Sequence, residues 1–250
     1  MTRRDVGAIL FDKDGTLFDF DATWSVWAAN LLVRLANGET SRARKLGDLI
    51  GFDVEQARFS PDSFVIAGTP DDLVDTLSPE FPELSRTQLF TLINNEAESA
   101  PMAEAVPLAP LLDHFLAHDL CLGVATNDAE RPALSHLEEA GIRDRFAFVA
   151  GSDSGFGAKP APGQLLAFCD AIGVHPHRAV MVGDSTHDLI AGRTAGMLTV
   201  AVLTGLAEAP VLAPHADVVL PDIGHLPAWI GLDELGARPK SDGNRRVPTG

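Results

Sequence analysis

Ala8-Ile9-Leu10-Phe11-Asp12-Lys13-Asp14-Gly15-Thr16-Leu17 is the stretch that decides the fold. It opens as a short apolar run of the kind that forms a buried parallel strand. It then delivers two carboxylates, Asp12 and Asp14, at a spacing of two, with Gly15 and Thr16 directly behind. Residues i and i+2 of a strand point the same way, so both carboxylates are expected on one side of a sheet's carboxyl end. Open α/β sheets bind their ligands at that edge. Two carboxylates held so close repel, and one pKa rises unless a cation sits between them. Either a metal shares them, or one is protonated and can act as an acid. The plainer alternative is a polar strand end running into a turn, for which Asp, Gly and Thr are ordinary residues.

The chain on the carboxyl side changes period. Trp24, Trp27, Leu31 and Leu35 fall at helical spacing, and Asn37-Gly38 is a helix stop. Further helices are expected over 40–50, over 70–77 with Pro70 in the first turn, and over 85–100 with Ser85 as N-cap. No convincing β-rich run occurs between 20 and 100, so this block reads as all-helical. After Pro101 the pattern becomes strand–helix alternation. Strands are expected at 120–126, 146–150, 179–183 and 199–203, and helices at 108–118, 130–140, 162–172 and 188–195. Alternation with short connections means a parallel sheet wrapped by helices. Residues 8–11 need the same sheet, which makes the helical block an insertion after the first strand. The expected division is a core of 1–17 plus 105–236, an inserted helical unit of 18–104, and a disordered tail of 237–250 that lacks apolar periodicity.

Composition narrows the class. The chain has 250 residues, 46% of them hydrophobic, and a net charge of −16. That charge argues against nucleic acid or an anionic membrane as partner, both of which require basic patches. It leaves room for a small phosphorylated molecule, for which a few local cations suffice. Cys121 and Cys169 lie in apolar surroundings and read as core fillers, since two cysteines form no disulfide framework. No run of 18 apolar residues is present and the N-terminus has no secretory pattern, so a cytoplasmic location is the expectation. The sequence does not fix an oligomeric state.

Three further stretches fall where the sheet should present its carboxyl edge. Thr126-Asn127 ends one strand, Lys159 sits in the loop Gly155-Phe156-Gly157-Ala158-Lys159-Pro160, and Gly183-Asp184-Ser185-Thr186-His187-Asp188 ends another strand. Taken singly they read as a helix-capping turn, a surface lysine and a turn with a cap. Together they supply carboxylates for a hard divalent cation, and a lysine, a hydroxyl and backbone amides for a phosphate.

In this order the motifs resemble the haloacid dehalogenase superfamily on its phosphatase side, and most closely its phosphoglycolate phosphatase-like branch. The helical insertion resembles the family's C1 cap, over a Rossmann-like core. The resemblance implies that Asp12 is the nucleophile and forms an aspartyl-phosphate, while Asp14 serves as general acid and base. It implies Mg2+ held by Asp12, the backbone carbonyl of Asp14, and Asp184, with Asp188 a ligand through water or an orienter. Thr126 and Lys159 would hold the phosphoryl oxygens, assisted by Asn127. Lys13 departs from the family pattern, which is apolar there; by strand alternation its side chain should point away from Asp12 and Asp14. His187 should line the rim, and Arg42, Arg44 and Lys45 should form a solvated helix face. Arg58, in the connection 51–64, is the cap residue expected to face substrate, pairing with a carboxylate if the substrate resembles phosphoglycolate.

The implied activity is Mg2+-dependent hydrolysis of a small phosphorylated metabolite, with a phosphoglycolate-like substrate favoured. A sugar-phosphate phosphomutase shares every core residue and differs in what the cap admits. Dehalogenase and phosphonatase chemistry would leave Asp14 without a purpose. A non-enzymatic regulatory protein on this scaffold would be favoured by loss of Asp12 or Lys159, and both are present.

Overall fold

The computed structural model describes residues 5–232, so the tail expected at 237–250 lies outside the described residues. Strand β1 (Ala8–Phe11) is buried at all four positions, as a strand covered on both faces must be. The chain then leaves the sheet through a wide π-type turn, Asp21–Ser25. Helices α1 (Val26–Leu35) and α2 (Thr40–Ile50) follow, then a hairpin of β2 (Phe52–Asp53) and β3 (Arg58–Phe59), then α3 (Pro70–Leu77) and α4 (Arg86–Glu98). Both α3 and α4 start on reciprocal capping boxes, Thr69 with Asp72 and Ser85 with Gln88. The apolar faces of the four helices, including Leu31, Leu46, Val74 and Ile93, close on one another in a single cluster.

The hairpin corrects the expectation of an all-helical block. Gly51 ends α2 in the left-handed region at φ 67°, and Phe52 and Phe59 then pack edge-to-face with ring centroids 4.8 Å apart. That aromatic pair closes the connection as two short strands.

The returning chain forms α5 (Leu108–Leu116), β4 (Cys121–Ala125), α6 (Glu130–Glu139), β5 (Phe148–Ala150) and α7 (Gly163–Ile172). It continues through β6 (Ala179–Gly183), α8 (Thr186–Ala195) and β7 (Leu198–Val202). Three small elements complete it: α9 (Ala209–Leu212), β8 (Val218–Leu220) and α10 (Leu226–Ile230). The six-stranded sheet is parallel throughout, in the order β5-β4-β1-β6-β7-β8. Strand residues alternate between two cores. Ile9, Phe11, Val124 and Val182 pack with Leu112 and Phe115 of α5, while Leu10, Ala125 and Met181 pack with Leu165 and Phe168 of α7.

The sheet grows outward from β1 to β5, then crosses back to place β6 on the other side of β1. The order therefore reverses between β1 and β6, the position at which such sheets hold ligands. Register brings Phe11 opposite Val124 of β4 and Val182 of β6, so the three strands end at nearly the same height. No helix among the described residues is long and apolar enough to cross a membrane.

Candidate active site

Asp12 follows β1 directly and its N–H still donates to Val182 O at 2.8 Å, which fixes its carboxylate at the sheet edge. Lys159 reaches it from the loop before α7. The Lys159 ammonium is buried and spends its three protons on Asp12 Oδ1 at 2.6 Å, Asp188 Oδ1 at 2.6 Å and Ala125 O at 2.7 Å. Asp188 is held from its other oxygen by the N–H and hydroxyl of Ser185, at 3.1 and 2.6 Å, which makes it the third-position partner of the N-cap Ser185 in the capping box of α8. Asp184 ends β6 beside them. Gly15 and Gly205 both abut its carboxylate so closely that a Cβ at either position would collide with it.

Asp12, Asp184 and Asp188 each bring a carboxylate oxygen to one point, all within 4.8 Å of one another, and all three are buried. Burial raises the Asp12 carboxyl to about 7 against the opposing pull of Lys159, and raises Asp184 well above the ordinary carboxylate range. One lysine does not balance three buried carboxylates. A hard divalent cation with oxygen ligands fits this donor set and its uncompensated charge.

Asp14 has a lysine of its own, and here the structure corrects the sequence expectation. Lys13 is fully buried and does not point away: its Nζ lies 2.7 Å from Asp14 Oδ1, 3.2 Å from Asp128 Oδ2 and 3.0 Å from His136 Nδ1. The strand rule fails because the strand has ended at Phe11. Gly15 turns the chain at φ 77°, and the Lys13 carbonyl accepts from both Leu17 N and Phe18 N. This tight loop carries the Lys13 side chain under Asp14 and against the Trp24 ring, 5.2 Å from its centroid. Burial lowers the Lys13 pKa, but Asp14 and Asp128 outweigh it and hold the ammonium above its ordinary value. His136 is neutral by the same geometry. Its Nε2 contacts the Ala97 carbonyl at 2.8 Å, an acceptor only, so Nδ1 is the lone pair that receives Lys13. Burial and the charge of Lys13 push His136 down to about 4.

Thr126 is buried at the end of β4, with its Oγ1 accepting from Asp128 N at 3.1 Å. The side chain of Asn127, expected to assist in holding phosphate, makes its hydrogen bonds elsewhere. Both protons of its amide are committed, to Lys159 O at 2.9 Å and Ala67 O at 2.8 Å, and its Oδ1 accepts from Lys159 N at 2.8 Å. It therefore fixes the lysine loop and ties it to the helical block. Gln164, fully buried, ties the carbonyls of Thr126 and Gly151 together at 3.0 and 2.9 Å.

Asp12, Asp14, Thr126, Lys159, Asp184 and Asp188 all line one pocket of about 80 Å³ between the sheet edge and the helical block. His187 stands on its wall as expected. Arg58 is not brought there. It is exposed on β3 and absent from the lining; the wall is instead supplied by Phe20, Trp24, Trp27, Asn94 and the turn Val65–Pro70. The basic face of α2 is solvated, with Arg44 paired to Glu55 and Lys45 to Glu80. Asp128, His136 and the two tryptophans carry no motif signal. Only the helical period of Trp24 and Trp27 was visible, and that reads as core.

The profile of the haloacid dehalogenase-like hydrolases matches residues 9–202. A phosphoglycolate phosphatase of Rhodospirillum rubrum is 33% identical over 243 residues, covering 93% of this chain and 96% of the relative. The pyrophosphatase PpaX of Bacillus pumilus is 26% identical, covering 93% of this chain and all of the relative (100%). The crystal structure of a phosphatase of the same family from Thermococcus onnurineus superposes with a TM-score of 0.65 at 21% identity, over 92% of this chain and 100% of that one. The matched region runs from β1 through the Asp184 turn to β7 and takes in every carboxylate of the pocket. The chain belongs to the haloacid dehalogenase-like hydrolase family, on its phosphoglycolate phosphatase-like side.

Proposed function

We propose that the protein is a Mg2+-dependent phosphomonoester hydrolase acting on a small phosphorylated metabolite through an aspartyl-phosphate. The observation that carries this reading is the buried constellation of Asp12 and Lys159 beside Asp184 and Asp188, at the switch point of the sheet. Asp12, Asp184 and Asp188 would hold the ion, which supplies neutralising charge to the phosphoryl oxygens. Lys159 and Thr126 take the remaining phosphoryl charge. Lys159 also fixes Asp12 Oδ1, which leaves the other oxygen to attack phosphorus.

In the first half-reaction an Asp12 oxygen bonds to phosphorus as the ester P–O bond breaks, and Asp14 gives its proton to the departing alkoxide. In the second, water gives a proton to Asp14 and attacks phosphorus. The Asp12–phosphorus bond breaks, and inorganic phosphate leaves with Asp12 and Asp14 restored. The Lys13 bond to Asp14 Oδ1 orients that carboxyl and leaves Oδ2 to carry the proton. The helical block acts as the cap that shields the reacting centre from water.

The two aspartates should fail differently. Asp12→Asn should form no phosphoenzyme and release no phosphate. Asp14→Asn should lose about a hundred- to ten-thousand-fold on alkyl esters, the usual worth of a general acid, and markedly less on an aryl ester whose leaving group needs no proton. Equal losses on both ester types would refute the division of labour. Phosphate release without a sugar-phosphate primer separates the hydrolase from a phosphomutase.

A further inference from the structure

Lys13 shares its charge between two carboxylates of the pocket. Asp14 keeps 14% of its side chain exposed, whereas Asp128 keeps 4% and already accepts from Ala129 N at 2.7 Å. An ammonium on a flexible four-carbon stem is a mobile point charge, so its place between the two needs a cause. Trp24 presents its ring face 5.2 Å from Nζ, a weak attraction with no single direction. The remaining proton supplies the direction. It goes to His136 Nδ1 at 3.0 Å, a neutral acceptor that fixes the ammonium without adding a third negative charge.

His136 can accept there in one tautomer only. With its proton on Nδ1 the ring would turn an N–H toward the ammonium, and the hydrogen bond made by the other nitrogen decides where the proton sits. That bond is to the Ala97 carbonyl, 2.8 Å from Nε2, which keeps the proton on Nε2. Ala97 lies in the last turn of α4, where backbone carbonyls have no partner in the helix's own ladder. Helix α4 belongs to the inserted block and α6, which carries His136, to the core. Arg131 of α6 joins the same two helices through Asn95 Oδ1 at 2.9 Å and through Glu98. A chain of hydrogen bonds thus runs from the backbone of the block through His136 and Lys13 to Asp14.

We infer that His136 is a positioning residue for Asp14: the Ala97 carbonyl of the helical block holds its imidazole in the Nε2–H tautomer, and the Nδ1 lone pair steers Lys13 onto the acid carboxyl. The inference rests on the hydrolase reading above and adds how its proton donor is aimed. His136 is fully buried and is not part of the pocket lining. Its hydrogen bonds go to Lys13 and Ala97, so it acts on the reaction through Lys13. The aim of the acid therefore depends on α4 lying against α6, a dependence that neither Lys159 nor Thr126 shares through this chain of bonds.

The test compares the full-length parent with His136→Phe and His136→Gln, each with Mg2+. Phenylalanine fills the space and removes both hydrogen bonds, while glutamine carries an acceptor and a donor on one side chain. Turnover of phosphoglycolate, whose alkoxide needs a proton, should fall about tenfold in kcat in His136→Phe, the equivalent of ~1.4 kcal/mol. Its KM and its inhibition by inorganic phosphate should hold, because the groups assigned to the phosphoryl oxygens are untouched. First-turnover release of nitrophenolate from nitrophenyl phosphate, which needs no proton, should stay within about twofold of the parent. His136→Gln should recover most of the lost turnover. Equal losses on the two esters, unchanged turnover of phosphoglycolate, or a glutamine variant no better than the phenylalanine one overturns the inference and leaves the hydrolase standing. Phosphate release from neither ester by the parent overturns the hydrolase reading and the inference with it. The imidazole nitrogen resonances of the parent near neutral pH need no substitution and no turnover. A proton on Nε2 of His136 supports the inference, and a proton on Nδ1 overturns it.

Discussion

Two lysines divide the carboxylates of this site. Lys159 serves Asp12 and Asp188, and Lys13 serves Asp14 and Asp128. The repulsion built into the Asp12–Asp14 spacing is thus relieved from two directions, and each carboxylate is held by a separate charge. Lys13 has no exposure at all, so its removal strands two carboxylates in low dielectric. Breaking a buried pair from one side typically costs about 3–5 kcal/mol. Lys13→Met should lose that much in urea unfolding. Adding Asp128→Asn, which removes one of the stranded charges, should recover part of the loss. If the double variant is no more stable than Lys13→Met alone, Asp128 is not paired to Lys13 in the way the 3.2 Å contact indicates. The role of Lys13 was not legible from sequence, because strand alternation holds only inside a strand and β1 ends one residue before Asp12.

At the scale of elements, the joint between core and helical block depends on a few side chains. Asn127 is the main one, linking the end of β4, the Lys159 loop and the Ala67 carbonyl. Asn127→Ala leaves a buried N–H and two carbonyls without their partner. The expected cost is about 1–3 kcal/mol in stability, together with weaker competitive inhibition by inorganic phosphate, because Lys159 is no longer held in place. Unchanged inhibition in a destabilised variant would confine Asn127 to a purely structural role.

Elements with strong local signals were legible. The spans of α2 and α3 match the expectation residue for residue, since Gly51 and the Thr69-Pro70 start punctuate them. Strands β4 and β6 were legible as continuous apolar runs ending in polar residues, and that placed Thr126 and Asp184 at the site. β8 was not, because Val218–Leu220 is three half-buried residues with no period to detect. α10 has one turn and begins beside Pro227. Arg58 was chosen for lying in an irregular connection, yet the Phe52–Phe59 contact makes that connection a hairpin and leaves its arginine facing solvent. Side chains that meet across the core–block joint, such as His136 with Ala97 and Asn94 with the pocket, are set by tertiary packing that no local period encodes.

For the molecule as a whole, the buried charge makes stability depend on pH and on the ion together. The Asp12 carboxyl is raised to about 7 and Asp128 to about 6, chiefly by burial. The folded protein therefore holds protons that the unfolded chain releases near 3.8, the ordinary value of an aspartate. This contribution to stability is present at low pH and is lost as pH rises through the folded pKa. His136 acts in the opposite sense: burial lowers it to about 4 from 6.5, so its contribution grows as pH rises to 6.5 and is flat beyond. Above pH 6.5 the carboxylates alone decide. Without metal, melting temperature should fall between pH 6.5 and 8 by roughly 2–4 °C, the equivalent of about 1 kcal/mol from Asp12 in a chain of this size. Saturating Mg2+ at the proposed site should hold the carboxylates ionised and remove that decline, so the stabilisation it confers should grow with pH across the same window. At a hundredfold excess over its Kd the ion adds about 2.7 kcal/mol. Asp184→Asn provides the control: with one repelling charge gone, the metal-free variant should melt higher than the parent and respond little to Mg2+. Differential scanning calorimetry at pH 6.5 and 8, with and without Mg2+, measures all four quantities. A Mg2+ shift of equal size at both pH values, or one fully retained in Asp184→Asn, would show that the ion is bound elsewhere than at Asp12, Asp184 and Asp188.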